Sequence, residues 1–185
     1  NLIERGRQMY SASLRHADLR SVLTQAPADL RPALLRLDRC WLAIEDAQVD
    51  GEQPVAYRVY PHPRPDLIAA LQQVVSVVTD HLSERPALDS PLLRFYFDAL
   101  HFTRVHEAFG DHSLFDATLD GAHDDSVLCL RNVVPAPFLK PRFAASHTTT
   151  LFSATLHPVD YICNLLGLPD DTACIDVASP FDAGQ

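Results

Sequence analysis

The apolar residues of this chain change their period once, near Gly110, and that change sets the fold class. Before it they recur every three or four residues, the spacing that draws a stripe along one face of a helix. Leu34, Leu37, Trp41 and Ile44 form one stripe. Asp50-Gly51 and then Pro54 end it, so an amphipathic helix is expected from about Ala28 to Gln48. Leu67, Ile68, Leu71, Val74, Val75, Val78 and Leu82 form a second, whose valines lower intrinsic propensity and leave tertiary packing to hold it. A third opens at Pro91 and carries Leu93, Phe97, Leu100, Phe102, Val105 and Phe109, a stripe wide enough for a central helix, ending at Gly110. Between the first two, Val55 to Tyr60 alternates, and Pro61-His62-Pro63-Arg64-Pro65 admits no helix.

After Gly110 the pattern turns strand-like over Ser113–Leu119 and Ser126–Val134, with the turn composition Asp120-Gly121-Ala122-His123-Asp124-Asp125 between them. Pro135, Pro137 and Pro141 break the next stretch, which carries Phe138, Leu139 and Phe143 toward a third strand, Thr148–Ser153. Pro158 then starts a helix through Leu166 that Gly167 and Pro169 stop. Alternating strands and helices over residues 126–178 predict a parallel α/β sheet. The expected fold class is therefore α+β, a mostly helical part followed by a partial α/β segment.

Composition narrows the function. The 185 residues are 47% hydrophobic and 21% charged, those of a globular chain that buries a core. No apolar run reaches the roughly 20 residues of a membrane span. The formal charge is -9, but residues 1–42 hold seven arginines against four carboxylates. A polyanion contact is first sought there; the other reading is a solvated helix face with interleaved charge. Cys40, Cys129, Cys163 and Cys174 include no C-x-x-C pair and read as reduced thiols, so no metal site is expected from them. His101 and His106 lie five apart on a helix, about 140° round from each other, and cannot share a metal. The only lysine is Lys140, and no Gly-rich loop precedes a Lys-Ser or Lys-Thr, so no phosphate loop is present; no serine stands in a G-x-S-x-G frame either.

The stretch richest in chemistry is Leu151-Phe152-Ser153-Ala154-Thr155-Leu156-His157-Pro158-Val159-Asp160-Tyr161, continuing through Leu165-Leu166-Gly167-Leu168 to Ala178-Ser179-Pro180-Phe181. It reads as a buried strand that ends in two hydroxyls, Ser153 and Thr155, and turns at once into a helix, which is where α/β folds place ligand-sensing groups. Those hydroxyls could equally satisfy backbone groups at the turn. The passage resembles motif III of the superfamily-two DNA helicases related to XPD and DinG. Asn1-Leu2-Ile3-Glu4-Arg5-Gly6-Arg7 resembles the segment that follows the family's Asp-Glu-Ala-His box, and Val127-Leu128-Cys129-Leu130 resembles the strand by which the chain re-enters the motor sheet. His157 departs from the Ser common as the helix cap at that place.

The resemblance implies a piece of a longer chain, beginning one residue after the box: residues 1–14 following it, 15–122 a mostly helical Arch insertion, 123–176 a return to a RecA-like first motor domain with motif III, and 177–185 the start of the second. It implies an ATP-dependent helicase of 5′ to 3′ polarity in a bacterial cytoplasm, associated with the nucleoid. In it, Ser153, Ala154 and Thr155 would couple hydrolysis to unwinding, and this segment would wall a channel for single-stranded DNA. ATP, Mg²⁺ and a [4Fe–4S] cluster would belong to the parent and lie outside these residues, so the segment alone would bind none and be inactive. Arg7, Arg15 and Arg20 are the candidate phosphate contacts, each with charge and a rigid donor fork. A protein could also dock on the Arch. The competing expectations are a helical protein-interaction module without DNA binding, and a helicase paralogue that has lost activity.

Overall fold

The computed structural model describes residues 2–50, 53–85, 90–121, 125–153 and 156–178. In chain order the elements are α1 (Leu2–Met9), β1 (Ala12–Arg15), α2 (His16–Gln25), α3 (Arg31–Asp46), the short strands β2 (Val49–Asp50) and β3 (Gln53–Pro54), β4 (Tyr57–Tyr60), α4 (Pro65–Glu84), α5 (Ser90–Glu107), β5 (Ser113–Asp120), β6 (Asp125–Asn132), α6 (Ala136–Ala145) and α7 (Val159–Leu166). The class is α+β, as the two periodicities predicted. Among the described residues no helix is long and apolar enough to cross a membrane. The chain divides into two compact units, one of residues 7–133 and one of the residues before 7 with those after 133.

In the larger unit four strands form one sheet in the order β1-β6-β5-β4. Every pairing is antiparallel. The parallel sheet was expected over residues 126–178, where β6 is the one strand among the described residues. β5 and β6 are joined by four residues, with Asp120 opposite Asp125, and a connection that short can only reverse the chain, as the turn composition there predicts. Residues 122–124 of that turn lie outside the described residues. Strand β1 was not expected; Ala12-Ser13-Leu14-Arg15 is too short to show an alternation, and it is held by pairing Ala12 with Leu130 and Leu14 with Leu128.

Register sorts the sheet into two faces. One presents Ala12, Leu14, Phe115, Ala117, Leu128 and Leu130, all buried in the core. The helices supply the rest of that core. Trp41, Leu37 and Leu34 of α3, and Leu67, Leu71, Val74 and Val78 of α4, are the expected stripes and are fully buried. Pro65 opens α4, where Asp66 accepts the Leu67 N–H (3.0 Å) and braces the Arg64 guanidinium, the proline and first-turn carboxylate expected of a helix start. On helix α5, Leu92, Phe95, Ala99 and Phe102 are buried in the core. Leu93, Leu100 and Val105 of the predicted stripe, with Phe109 just past the helix end, pack half-buried against it, and Phe97 of that stripe is 55% exposed.

The smaller unit holds α6 and α7. Helix α6 occupies the proline-broken stretch that was expected to lead into a strand. Pro135 and Pro137 sit at its start, where a missing N–H costs nothing, and only Pro141 interrupts its bonding. Gly6 lies so close to this helix start that an added Cβ would approach the Pro135 Cβ to 3.0 Å. Thr148–Ser153, expected as a strand, has no ladder partner among the described residues. Helix α7 matches its predicted limits. Gly167 ends it at φ 67°, with the Leu168 N–H donating to the Cys163 carbonyl (3.0 Å), the left-handed cap that glycine adopts without penalty.

Candidate functional site

Of the three expected coupling residues the structure describes one. Ser153 is exposed on the segment before α7, while Ala154 and Thr155 lie outside the described residues. Asp160 follows in the first turn of α7. Within the same unit a cleft of about 540 Å³ opens between the Thr148–Thr150 segment, Ile162 and Cys163 of α7, and Cys174. Its wall mixes threonine hydroxyls with apolar side chains, and Ser153 is not part of its lining.

The three candidate arginines are drawn into the protein's own bonding. Arg7 Nε donates to the Val133 carbonyl (3.0 Å). Arg15 Nη2 donates to Asp125 Oδ2 (3.0 Å), with its guanidinium still 61% exposed. The Asp125 carboxyl is also held by the backbone N–H groups of Ala17 (2.9 Å) and Ser126 (2.8 Å). Burial pushes its pKa up, but these donors and Arg15 outweigh burial and leave it below the ordinary carboxylate value. Arg20 Nη2 stands 3.1 Å from His16 Nδ1. The three thus sit on three successive elements with three different partners.

The most connected polar group in the molecule is one that sequence reasoning passed over. His16, at the start of α2, is wholly buried, with Nδ1 2.7 Å from Glu45 Oε1 and Nε2 2.8 Å from Asp38 Oδ1. Its ring stacks on Trp41, centroids 5.0 Å apart and planes 9° from parallel. Trp41 Nε1 donates to Ser126 Oγ (2.7 Å), and that hydroxyl donates to Glu45. Each ring nitrogen thus lies within hydrogen-bond distance of a different carboxylate of α3. No substrate can reach a ring this buried. The cluster is a clasp joining α2, α3 and β6, and its place on β6 positions the sheet. Its signal in the sequence was Asp38, Trp41 and Glu45 at spacings of three and four, two carboxylates flanking a tryptophan on an apolar stripe.

Other titratable groups follow the same logic. Asp116 is 1% exposed on the outer side of the sheet and is held by the Arg131 fork, Nε to Oδ2 at 2.8 Å and Nη2 to Oδ1 at 3.2 Å. Asp29 takes a hydrogen bond from His81 (2.7 Å), which holds its carboxyl below the usual range. Burial pushes the Cys129 thiol up to about 11 and raises Cys40 as well, so neither is a ready nucleophile. His101 Nε2 lies 3.0 Å from the Ser11 carbonyl, and His106 packs on Phe109. Among the described residues no group of three or more His, Cys, Asp or Glu could hold a metal ion. A smaller pocket of about 220 Å³ between α2 and α5 faces Asp18 and Asp98 toward Arg94. Burial, and then the charge of Asp18, raises the Asp98 pKa.

No protein family, curated protein or solved structure was found that matches the chain.

Proposed function

We propose that this chain is the Arch and motif III portion of an ATP-dependent DNA helicase of the XPD/DinG type, contributing a wall of the single-strand channel and the relay between nucleotide state and unwinding. The passage from Leu151 to Phe181 carries the reading: two hydroxyl residues before a His-Pro-x-Asp helix start, a Leu-Gly stop, then Ser-Pro-Phe. The helix bounded by Pro158 and Gly167 supports it, since that motif requires a short capped helix directly after the hydroxyls. On this reading Thr148–Ser153 acquires its ladder from strands of the parent. ATP, Mg²⁺ and the iron–sulfur cluster are held there too, because this chain has neither a phosphate loop nor, among the described residues, a group of metal ligands.

The test is made in the parent enzyme. Ser153→Ala with Thr155→Ala leaves nucleotide binding near the unmutated value and lowers strand displacement per ATP hydrolysed. Unchanged displacement per ATP refutes the relay.

A second reading is favoured by one observation. Arg7, Arg15 and Arg20 are each occupied by groups of the chain itself, and the whole chain carries a net charge of -9. Both suit a protein-interaction module better than a polyanion site. Binding of labelled single-stranded DNA that weakens steeply with salt favours the helicase reading; absence of DNA binding at low salt favours the module.

A further inference from the structure

The two edges of the four-stranded sheet are treated differently. At the β1 edge α5 packs along the strand, and the Ser11 carbonyl just before it meets His101 Nε2. At the other edge, β4 ends the sheet, with β5 as its one ladder partner among the described residues. The Leu119 N–H donates to the Ala56 carbonyl (2.8 Å), which fixes the phase of the β4–β5 ladder. Ala56, Arg58 and Tyr60 turn their backbone groups toward β5, so Tyr57 and Val59 turn theirs outward. The window is bounded on both sides. The Val55 N–H is taken by the Gln48 carbonyl (2.8 Å), and Pro61 has no N–H to offer.

The two outward positions of this edge, Tyr57 and Val59, carry no charge; its cation, Arg58, lies on the opposite face, and Pro61 closes the strand. Tyr57 and Val59 are 50% and 44% exposed, and both point to the outer face of the sheet. Arg58 points to the other face, with one nitrogen donating to the Ala47 carbonyl (2.6 Å). A strand laid along β4 would meet an apolar position, a cation and a second apolar position in turn. A second copy of β4 pairing about Arg58 would set two guanidinium groups against each other, which disfavours self-association.

We infer that the β4 edge binds a short extended peptide segment of another protein, with apolar side chains opposite Tyr57 and Val59 and a carboxylate opposite Arg58. Four backbone hydrogen bonds through Tyr57 and Val59 supply the attachment, and the alternation selects the sequence. This does not depend on the helicase reading, because it uses neither the three N-terminal arginines nor motif III.

The test titrates the whole chain into a fluorescent Thr-Val-Glu-Val-Thr peptide and follows anisotropy. Saturable binding is expected, and N-methylation of both valines, which removes only backbone donors, abolishes it. Val59→Pro removes one outward N–H without touching the β5 ladder and weakens binding about tenfold. Arg58→Glu transfers the preference to Thr-Val-Lys-Val-Thr, a readout that a misfolded variant cannot produce. No binding by the first peptide, equal binding of the N-methylated form, or no change in Arg58→Glu overturns the inference. So does a concentration-dependent dimer in sedimentation that Val59→Pro dissolves, because the edge then belongs to a second copy.

Discussion

Replacing His16 by phenylalanine would separate the ring of the clasp from its nitrogens. The stack on Trp41 is kept, and what disappears are the contacts of the ring nitrogens, to Asp38 and Glu45 at 2.8 and 2.7 Å and to Arg20 at 3.1 Å. Hydrogen bonds to charged groups are worth about 1.5–3 kcal/mol each, and removing one partner of a buried pair costs about 3–5 kcal/mol. Asp38 and Glu45 keep 20% and 19% of their side chains exposed, so water partly repays them. The lower figure applies, about 3 kcal/mol, or roughly 10 °C in Tm for a unit of this size. Trp41 is the only tryptophan and lies in the clasp, so urea unfolding followed by its fluorescence reports on this unit. Adding Asp38→Asn and Glu45→Gln to the phenylalanine variant removes the stranded charges and should recover more than half of the loss. A loss below about 1 kcal/mol, or none of it recovered in the triple variant, would refute the clasp as a charge-bearing element.

Two further outcomes follow from local geometry. Gly167→Ala forces a side chain into φ 67° and brings its Cβ to 3.0 Å from the Ala136 carbonyl; the expected cost is about 1–2 kcal/mol, seen as faster amide exchange in α7, and unchanged exchange there would contradict the cap. Asp98→Asn stabilises at neutral pH, because burial and Asp18 raise the folded-state pKa and so penalise the ionised form. That penalty is absent below the unfolded value near 3.9 and grows as pH rises through the folded one. The gain, about 0.3 kcal/mol after solvent screening, should therefore vanish in acid; a gain that persists at pH 3 would rule out this cause.

Much of the helical architecture was legible in the sequence, because the stripes of α3 and α4 and the Pro and Gly at the ends of α7 are local signals. Helix α5 was legible as a helix and in most of its stripe, but not in the exposure of Phe97, since Phe97 is as apolar as the buried Phe95. The candidate site was less legible. Ser153 was chosen as the end of a strand, and Thr148–Ser153 forms no strand in the structure. The arginines of the first 42 residues looked available because a sequence shows charge without showing partners. His16 looked unremarkable because its carboxylates lie 22 and 29 residues away.

By itself the sequence determined where the chain helices and where it alternates, for periodicity, proline and glycine act within a few residues. Only the tertiary structure decided the order of the strands in the sheet, that Phe95 rather than Phe97 of α5 is buried, that His16 gathers Asp38, Glu45 and Trp41, and that among the described residues α5 packs along β1 while β4 ends the sheet. Each of these depends on contacts between residues far apart in the chain, which local propensity cannot encode.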